Sequence, residues 1–152
     1  MTNTSSRGFT LIELLVAISI IGILSSIIMG SVTRARSKGH DAAAKADLGN
    51  IRAQAILYYD NNAQSYGTAD TACSSLSNVF DPTAANNIAA QVSAAEGAVN
   101  NTATCANDDV TYAVAIPLLS GDVWCIDSTG YASSTDLALT GIGSVSARIA
   151  CQ

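Results

Sequence analysis

From Phe9 to Val32 the chain is apolar almost without interruption. This stretch of 24 residues makes a helix of about 36 Å at 1.5 Å per residue. That exceeds the roughly 30 Å hydrocarbon core of a bilayer. Val16 to Val32 carries no charge, and Glu13 is the one ionisable side chain between Phe9 and Val32. A lone carboxylate in a membrane-spanning segment is costly and marks a functional position. Ala17, Ser19, Gly22, Ser25, Ser26, Gly30 and Ser31 are scattered among the Ile, Leu and Val residues. Small residues of this kind let helix backbones approach closely in apolar surroundings.

The pattern then changes without breaking. Leu48, Ile51, Ala55 and Tyr58 follow 3-4-3 spacing, the signature of one apolar helix stripe. Asp41 and Lys45 stand four apart in the order that favours an ion pair. Asn61-Asn62 and Gly67 end the pattern. The spacing therefore predicts one helix from about Phe9 to about Tyr59, apolar all round in its first half and amphipathic in its second.

The remainder reads as a mixed domain. Asp81-Pro82 suits a helix start, with Asp as cap and Pro in the first turn. Ile88, Val92, Ala95 and Val99 supply helical spacing, with Gly97 expected to stop the helix before Val99. Val110, Tyr112, Val114 and Ile116 alternate with smaller residues, which predicts a strand over Val110–Ile116. Val123–Asp127 reads as the next strand, and Ser120-Gly121-Asp122 as the turn between them. From Ser133 onward the chain is rich in Ser, Thr and Gly and reads as loop, with one weak strand near Val145–Ile149. The expected fold class is α+β: a long amino-terminal helix carrying a small globular head with a short antiparallel sheet.

The amino terminus qualifies the membrane reading. A secretory signal has a short apolar stretch followed by an A-x-A-like cleavage site. Here the apolar stretch is longer, and Ser31-Val32-Thr33-Arg34 follows it. The small residue with a basic neighbour is Gly8, after Arg7 and before the apolar run. Cleavage there would retain the helix.

Gly8 followed by Phe9-Thr10-Leu11-Ile12-Glu13-Leu14 resembles the cleavage and methylation motif of type IV prepilins and type II secretion pseudopilins. The resemblance covers about the first 30 residues. It implies that a membrane prepilin peptidase cuts between Gly8 and Phe9 and that the new amino terminus is N-methylated. Residues 1–8 would then be a leader that is removed. Residues 9–32 would form the transmembrane and filament-core helix, 33–60 its amphipathic continuation, and 61–152 the head. The positive amine of Phe9 would find the Glu13 carboxylate of a neighbouring subunit, so Phe9 and Glu13 would set the register of assembly. An apolar surrounding penalises an unpaired charge and tolerates a well-formed pair. The implied partners are identical or related pilin subunits, the peptidase, the assembly machinery and, before assembly, membrane lipid. The implied location is the cytoplasmic membrane with the head outside, then a surface filament or a periplasmic pseudopilus. Many type IV pilins have a proline within the apolar helix; here there is none, and Gly22 and Gly30 are its only breakers.

Charge complicates the orientation. Arg34, Arg36 and Lys38 outnumber the leader's Arg7, and the positive-inside rule would put that flank in the cytoplasm. The resemblance and the cysteines put it outside, and that orientation is adopted.

Composition narrows the function. Only 12% of the 152 residues are charged and the net charge is −5, which argues against nucleic acid as the main partner. Cys73, Cys105, Cys125 and Cys151 all follow the apolar helix. An even count in an exported segment reads as two disulfides. Cys73–Cys105 and Cys125–Cys151 are the favoured pairs, since each closes a local segment. A zinc site is the rival, but there is no CxxC and the one histidine, His40, is distant. Asp108, Asp109, Asp122 and Asp127 are weak calcium candidates, because oxygen ligands suit that ion; Asp is also a common turn residue. No nucleophile elbow, P-loop or HExxH is present, and no enzyme activity or cofactor is expected. The sequence thus points to a filament subunit. The alternatives are a type II secretion pseudopilin and, from another class, a monomeric membrane-anchored binding domain.

Overall fold

The computed structural model describes residues 8–135 and 151. Helix α1 runs over Leu11–Asn61. The chain divides into two compact units, with the boundary inside this helix between Arg36 and Ser37.

In the first unit the large apolar side chains are uncovered. Exposure ranges from 42% at Val32 to 82% at Leu11, so this segment presents an apolar surface. Three of its hydroxyls bond back to the helix itself. Ser19 donates to the Leu15 carbonyl at 2.7 Å, Ser26 to Ile23 at 2.9 Å and Thr33 to Met29 at 3.1 Å. Each hydroxyl is satisfied by its own helix, as a lipid environment requires. By length and composition α1 is able to cross a membrane.

The second unit, from Ser37 onward, holds the core. Ala44, Leu48, Ile51 and Ala55 of α1 are buried, with Tyr58 half-buried behind them. They meet Ile88, Val92, Ala95 and Val99 of a second helix, α2 (Ile88–Val99), in the main hydrophobic core. The expected start of this helix at Asp81-Pro82 is displaced to Ile88. Asp81 spends its carboxylate on a turn instead, accepting from the Thr83 amide (2.7 Å), the Thr83 hydroxyl (2.6 Å) and the Ser77 amide (3.1 Å). Nor does Gly97 stop α2; Asn100 ends it in a left-handed conformation at φ 53°, a role Asn shares with Gly.

Four strands follow: β1 (Thr104–Asn107), β2 (Tyr112–Pro117), β3 (Val123–Asp127) and β4 (Ala132–Thr135). They form one antiparallel sheet in chain order, β1-β2-β3-β4. Alternation sorts the two faces of β2. Tyr112, Val114 and Ile116 enter the main core, while Ala113 and Ala115 join a smaller cluster with Ala106, Cys125 and Cys151. The expected strand over Val110–Ile116 begins later, at Tyr112. Asp108 accepts from the amides of Val110 (2.9 Å) and Thr111 (2.6 Å), which turns the chain and leaves Val110 56% exposed.

β1 and β4 are additions to the sequence-based picture, since neither segment alternates clearly between apolar and polar residues. β4 also places strand where a loop was expected from Ser133. The weak strand expected over Val145–Ile149 lies outside the described residues, as does most of the leader. The turn 118–122 matches its sequence signal: the Leu118 amide donates to the Asp122 carbonyl at 2.8 Å, and Gly121 takes φ +97°.

Two disulfides staple this unit. Cys73 of the 62–87 connection is bonded to Cys105 of β1, with Cα atoms 5.1 Å apart. Cys125 of β3 is bonded to Cys151, with Cα atoms 5.8 Å apart.

Candidate functional site

The first turn of α1 gathers the residues singled out at the amino terminus. Gly8, Phe9 and Thr10 precede the helix, and Phe9 is 75% exposed. Among the described residues, chain neighbours aside, no atom lies within 4 Å of where a Gly8 side chain would begin. Glu13 lies within that first turn.

Thr10 and Glu13 form a reciprocal cap. The Thr10 amide donates to Glu13 Oε2 at 2.9 Å and the Thr10 hydroxyl to the same oxygen at 2.7 Å. In return the Glu13 amide donates to Thr10 Oγ1 at 3.3 Å. This is the capping-box arrangement of a Thr followed three residues later by Glu. A carboxylate near a helix amino terminus also complements the helix dipole. Glu13 is thereby integrated into the helix start within its own chain. The Thr-x-x-Glu spacing was visible in the sequence, but the lone charge of Glu13 drew the reading away from Thr10.

Around Glu13 the helix surface is apolar, with Phe9, Ile12, Val16, Ala17 and Ile20 lining an open groove beside the carboxylate. One acidic group on an otherwise oily rod suits recognition of another apolar helix that carries one cation.

Other candidates are dispersed. Arg34, Arg36, Lys38 and His40 are exposed. Asp41 and Lys45 do not act as the expected pair: Asp41 accepts two backbone amides from the β2–β3 turn, and the Lys45 ammonium lies 4.6 Å from the centre of the Trp124 ring. Such a placement over an indole face is a cation–π contact.

The four aspartates considered for calcium do not converge. Among the described residues no group of three or more His, Cys, Asp or Glu side chains is placed to hold a metal ion. Asp108 caps the β1–β2 turn. Asp127 is buried, and Oδ1 accepts from the Thr129 amide (2.9 Å), the Thr129 hydroxyl (2.6 Å) and the Tyr131 amide (3.1 Å). Its Oδ2 accepts from the Cys151 amide at 2.9 Å. These bonds satisfy a buried carboxylate with donors from the chain itself. Asp122 accepts only a long bond, 3.4 Å, from the Ser120 hydroxyl.

Residues 3–29 match the family described as the prokaryotic N-terminal methylation motif. Over 60 residues the chain is 37% identical to the type IV wide pilus major component of Thermus thermophilus, an alignment covering 39% of this chain and 46% of that protein. The match thus spans less than half of that curated relative. No solved structure matches the chain. The chain is thus similar to proteins carrying the prokaryotic N-terminal methylation motif at its amino terminus, and to a type IV pilus component over part of its length.

Proposed function

We propose that the chain is the structural subunit of a type IV pilus-like filament. The observation that carries this reading is the first unit itself: an uncovered apolar helix, with Ser19, Ser26 and Thr33 bonded back to its own backbone and a single carboxylate in its first turn. Lipid can cover such a helix in storage, and other copies can cover it after assembly. The precursor sits in the cytoplasmic membrane with its head outside. Prepilin peptidase cuts between Gly8 and Phe9, and the new amine is methylated. The assembly machinery then moves the helix from lipid into a bundle of like helices. Glu13 supplies the counter-charge to the Phe9 amine of the neighbouring subunit, so a subunit out of register leaves charge unpaired in an apolar layer.

The test is to shear the surface of cells producing the chain and take the intact mass of the released subunit. Filaments containing a chain that begins at Phe9 support the reading. A chain confined to the membrane as a monomer, with residues 1–8 attached in cells that possess the peptidase, refutes it. Short fibres retained in the periplasm would redirect it to a secretion pseudopilus.

A further inference from the structure

We propose that Thr10 is a positioning residue of this assembly site: it holds the Glu13 carboxylate through Oε2, which leaves Oε1 for a cation carried by a second copy of the chain. The inference rests on the filament reading and adds the group that orients its charge.

The geometry divides the carboxylate in two. Both bonds from Thr10 end on Oε2, at 2.9 Å from the amide and 2.7 Å from the hydroxyl. Among the described residues no hydrogen bond ends on Oε1. The third bond, from the Glu13 amide to Thr10 Oγ1 at 3.3 Å, fixes the hydroxyl that does the holding. The threonine thus contributes two donors and one acceptor to a single glutamate.

The surroundings explain why holding matters. A glutamate on an exposed helix face in lipid has no apolar neighbour that prefers one rotamer, and a free carboxylate would swing toward the interface. A side chain already ordered at the helix start loses less conformational freedom when a partner arrives. One oxygen satisfied within the chain also lowers the desolvation cost that an incoming cation must offset. The cap therefore does two things at once: it carries the charge through storage and presents it for pairing.

Thr10→Val keeps the size and branching of the side chain but removes the hydroxyl, and with it two of the three bonds. Thr10→Ser keeps all three. Filaments should be counted per cleaved subunit, so that any effect on processing next to the cut is divided out. Thr10→Val is expected to lower filament yield about tenfold, as loss of a charge-assisted hydrogen bond would. Thr10→Ser should stay within about twofold of wild type. In a Glu13→Asp background, whose shorter side chain already slackens the cap, Thr10→Val should cost no more than about twofold, because coupled residues are not additive. An equal fall in both backgrounds would show that Thr10 acts independently of Glu13 and would overturn the proposal. So would wild-type yield for Thr10→Val.

A second measurement does not depend on assembly. In the full chain in phospholipid nanodiscs, the Thr10 amide should exchange with solvent about tenfold faster in Glu13→Val than in wild type. Equal exchange rates would overturn the cap itself. Absence of filaments from wild-type cells would overturn the filament reading and this inference with it, whereas normal assembly of Thr10→Val would overturn the positioning role alone.

Discussion

The Asp41 carboxylate on α1 accepts the amide proton of Leu119, 78 residues further along the chain, at 2.7 Å. Its second oxygen takes the neighbouring Ser120 amide at 3.1 Å. Two orphan donors of the β2–β3 turn are thus satisfied by one buried acid, which fastens the turn to the helix. Asp41→Ala should destabilise the head by about 2–3 kcal/mol, since hydrogen bonds to charged groups are the stronger kind and the amides are left without a partner. Asp41→Asn should cost less, because one acceptor remains. Urea denaturation of both variants, followed by circular dichroism, measures the difference.

Processing gives a second prediction. Gly8→Leu should block cleavage, because the added side chain crowds a peptidase that must approach the backbone closely there. The uncleaved precursor should accumulate in the membrane. Intact-mass measurement of the membrane fraction reads it directly, and a chain beginning at Phe9 in this variant would contradict the expectation.

Glu13→Val should leave insertion intact, since it makes the helix more apolar. Assembly should fail, because the amine of the neighbouring Phe9 loses its counter-charge. Removing one member of a buried pair costs about 3–5 kcal/mol, or a hundredfold or more in a polymerisation equilibrium. Glu13→Asp should be milder. Counts of filaments and of membrane-retained subunits for the three chains decide the matter, and normal filament numbers for Glu13→Val would exclude electrostatic register.

Loss of a disulfide should be felt mainly as stability. Replacing Cys73 and Cys105 together by Ala should lower head stability by about 2–4 kcal/mol. The pair Cys125 and Cys151 should matter similarly, and its loss should also release the Cys151 amide from Asp127. Thermal unfolding with and without reductant, alongside the two double variants, measures both.

Alkaline pH supplies a fifth test. Burial pushes the Tyr112 phenol well above the ordinary tyrosine range, with Tyr66 adding to the shift. Burial raises Tyr66 as well, helped by Tyr59 and Asp60, and raises Tyr58, helped by Asp81. The folded head therefore holds these protons more tightly than the unfolded chain does. Its stability should be unchanged below about pH 10, the ordinary phenol value, and fall as pH rises beyond it. Denaturant midpoints across that range, with phenolate absorbance on the same samples, check the sign.

The legibility of this chain varies by element for physical reasons. The α1 helix could be read because its two halves obey two simple rules, continuous apolarity and then a 3-4-3 stripe. β3 announced itself through Val123, Trp124 and Ile126. β1 did not, because Asn107 occupies a position where an apolar residue would be expected: it is fully buried, and its side-chain amide donates to the Tyr66 and Thr68 carbonyls. β4 is an edge strand of Ala, Ser and Thr, with little in its sequence to distinguish it from loop. The start of α2 was misread because Asp81 is as good at capping a turn as at capping a helix, and Thr83 decided between them. At the amino terminus Gly8, Phe9 and Glu13 stood out by their chemistry. Thr10 did not, and Asp41 stood out only as a partner for Lys45, since the value of each depends on an amide or carboxylate that only the fold supplies.

The order β1-β2-β3-β4 has a consequence for how the head comes to exist. Each of the three ladders joins strands adjacent in the chain, so each needs only a short loop to close. Short closures are entropically cheap, and topologies rich in sequence-local pairs fold fast. The sheet can therefore form hairpin by hairpin in chain order. The bond between Asp41 and Leu119 spans 78 residues, so it is a long-range tie that only a chain with its β2–β3 turn in place can make.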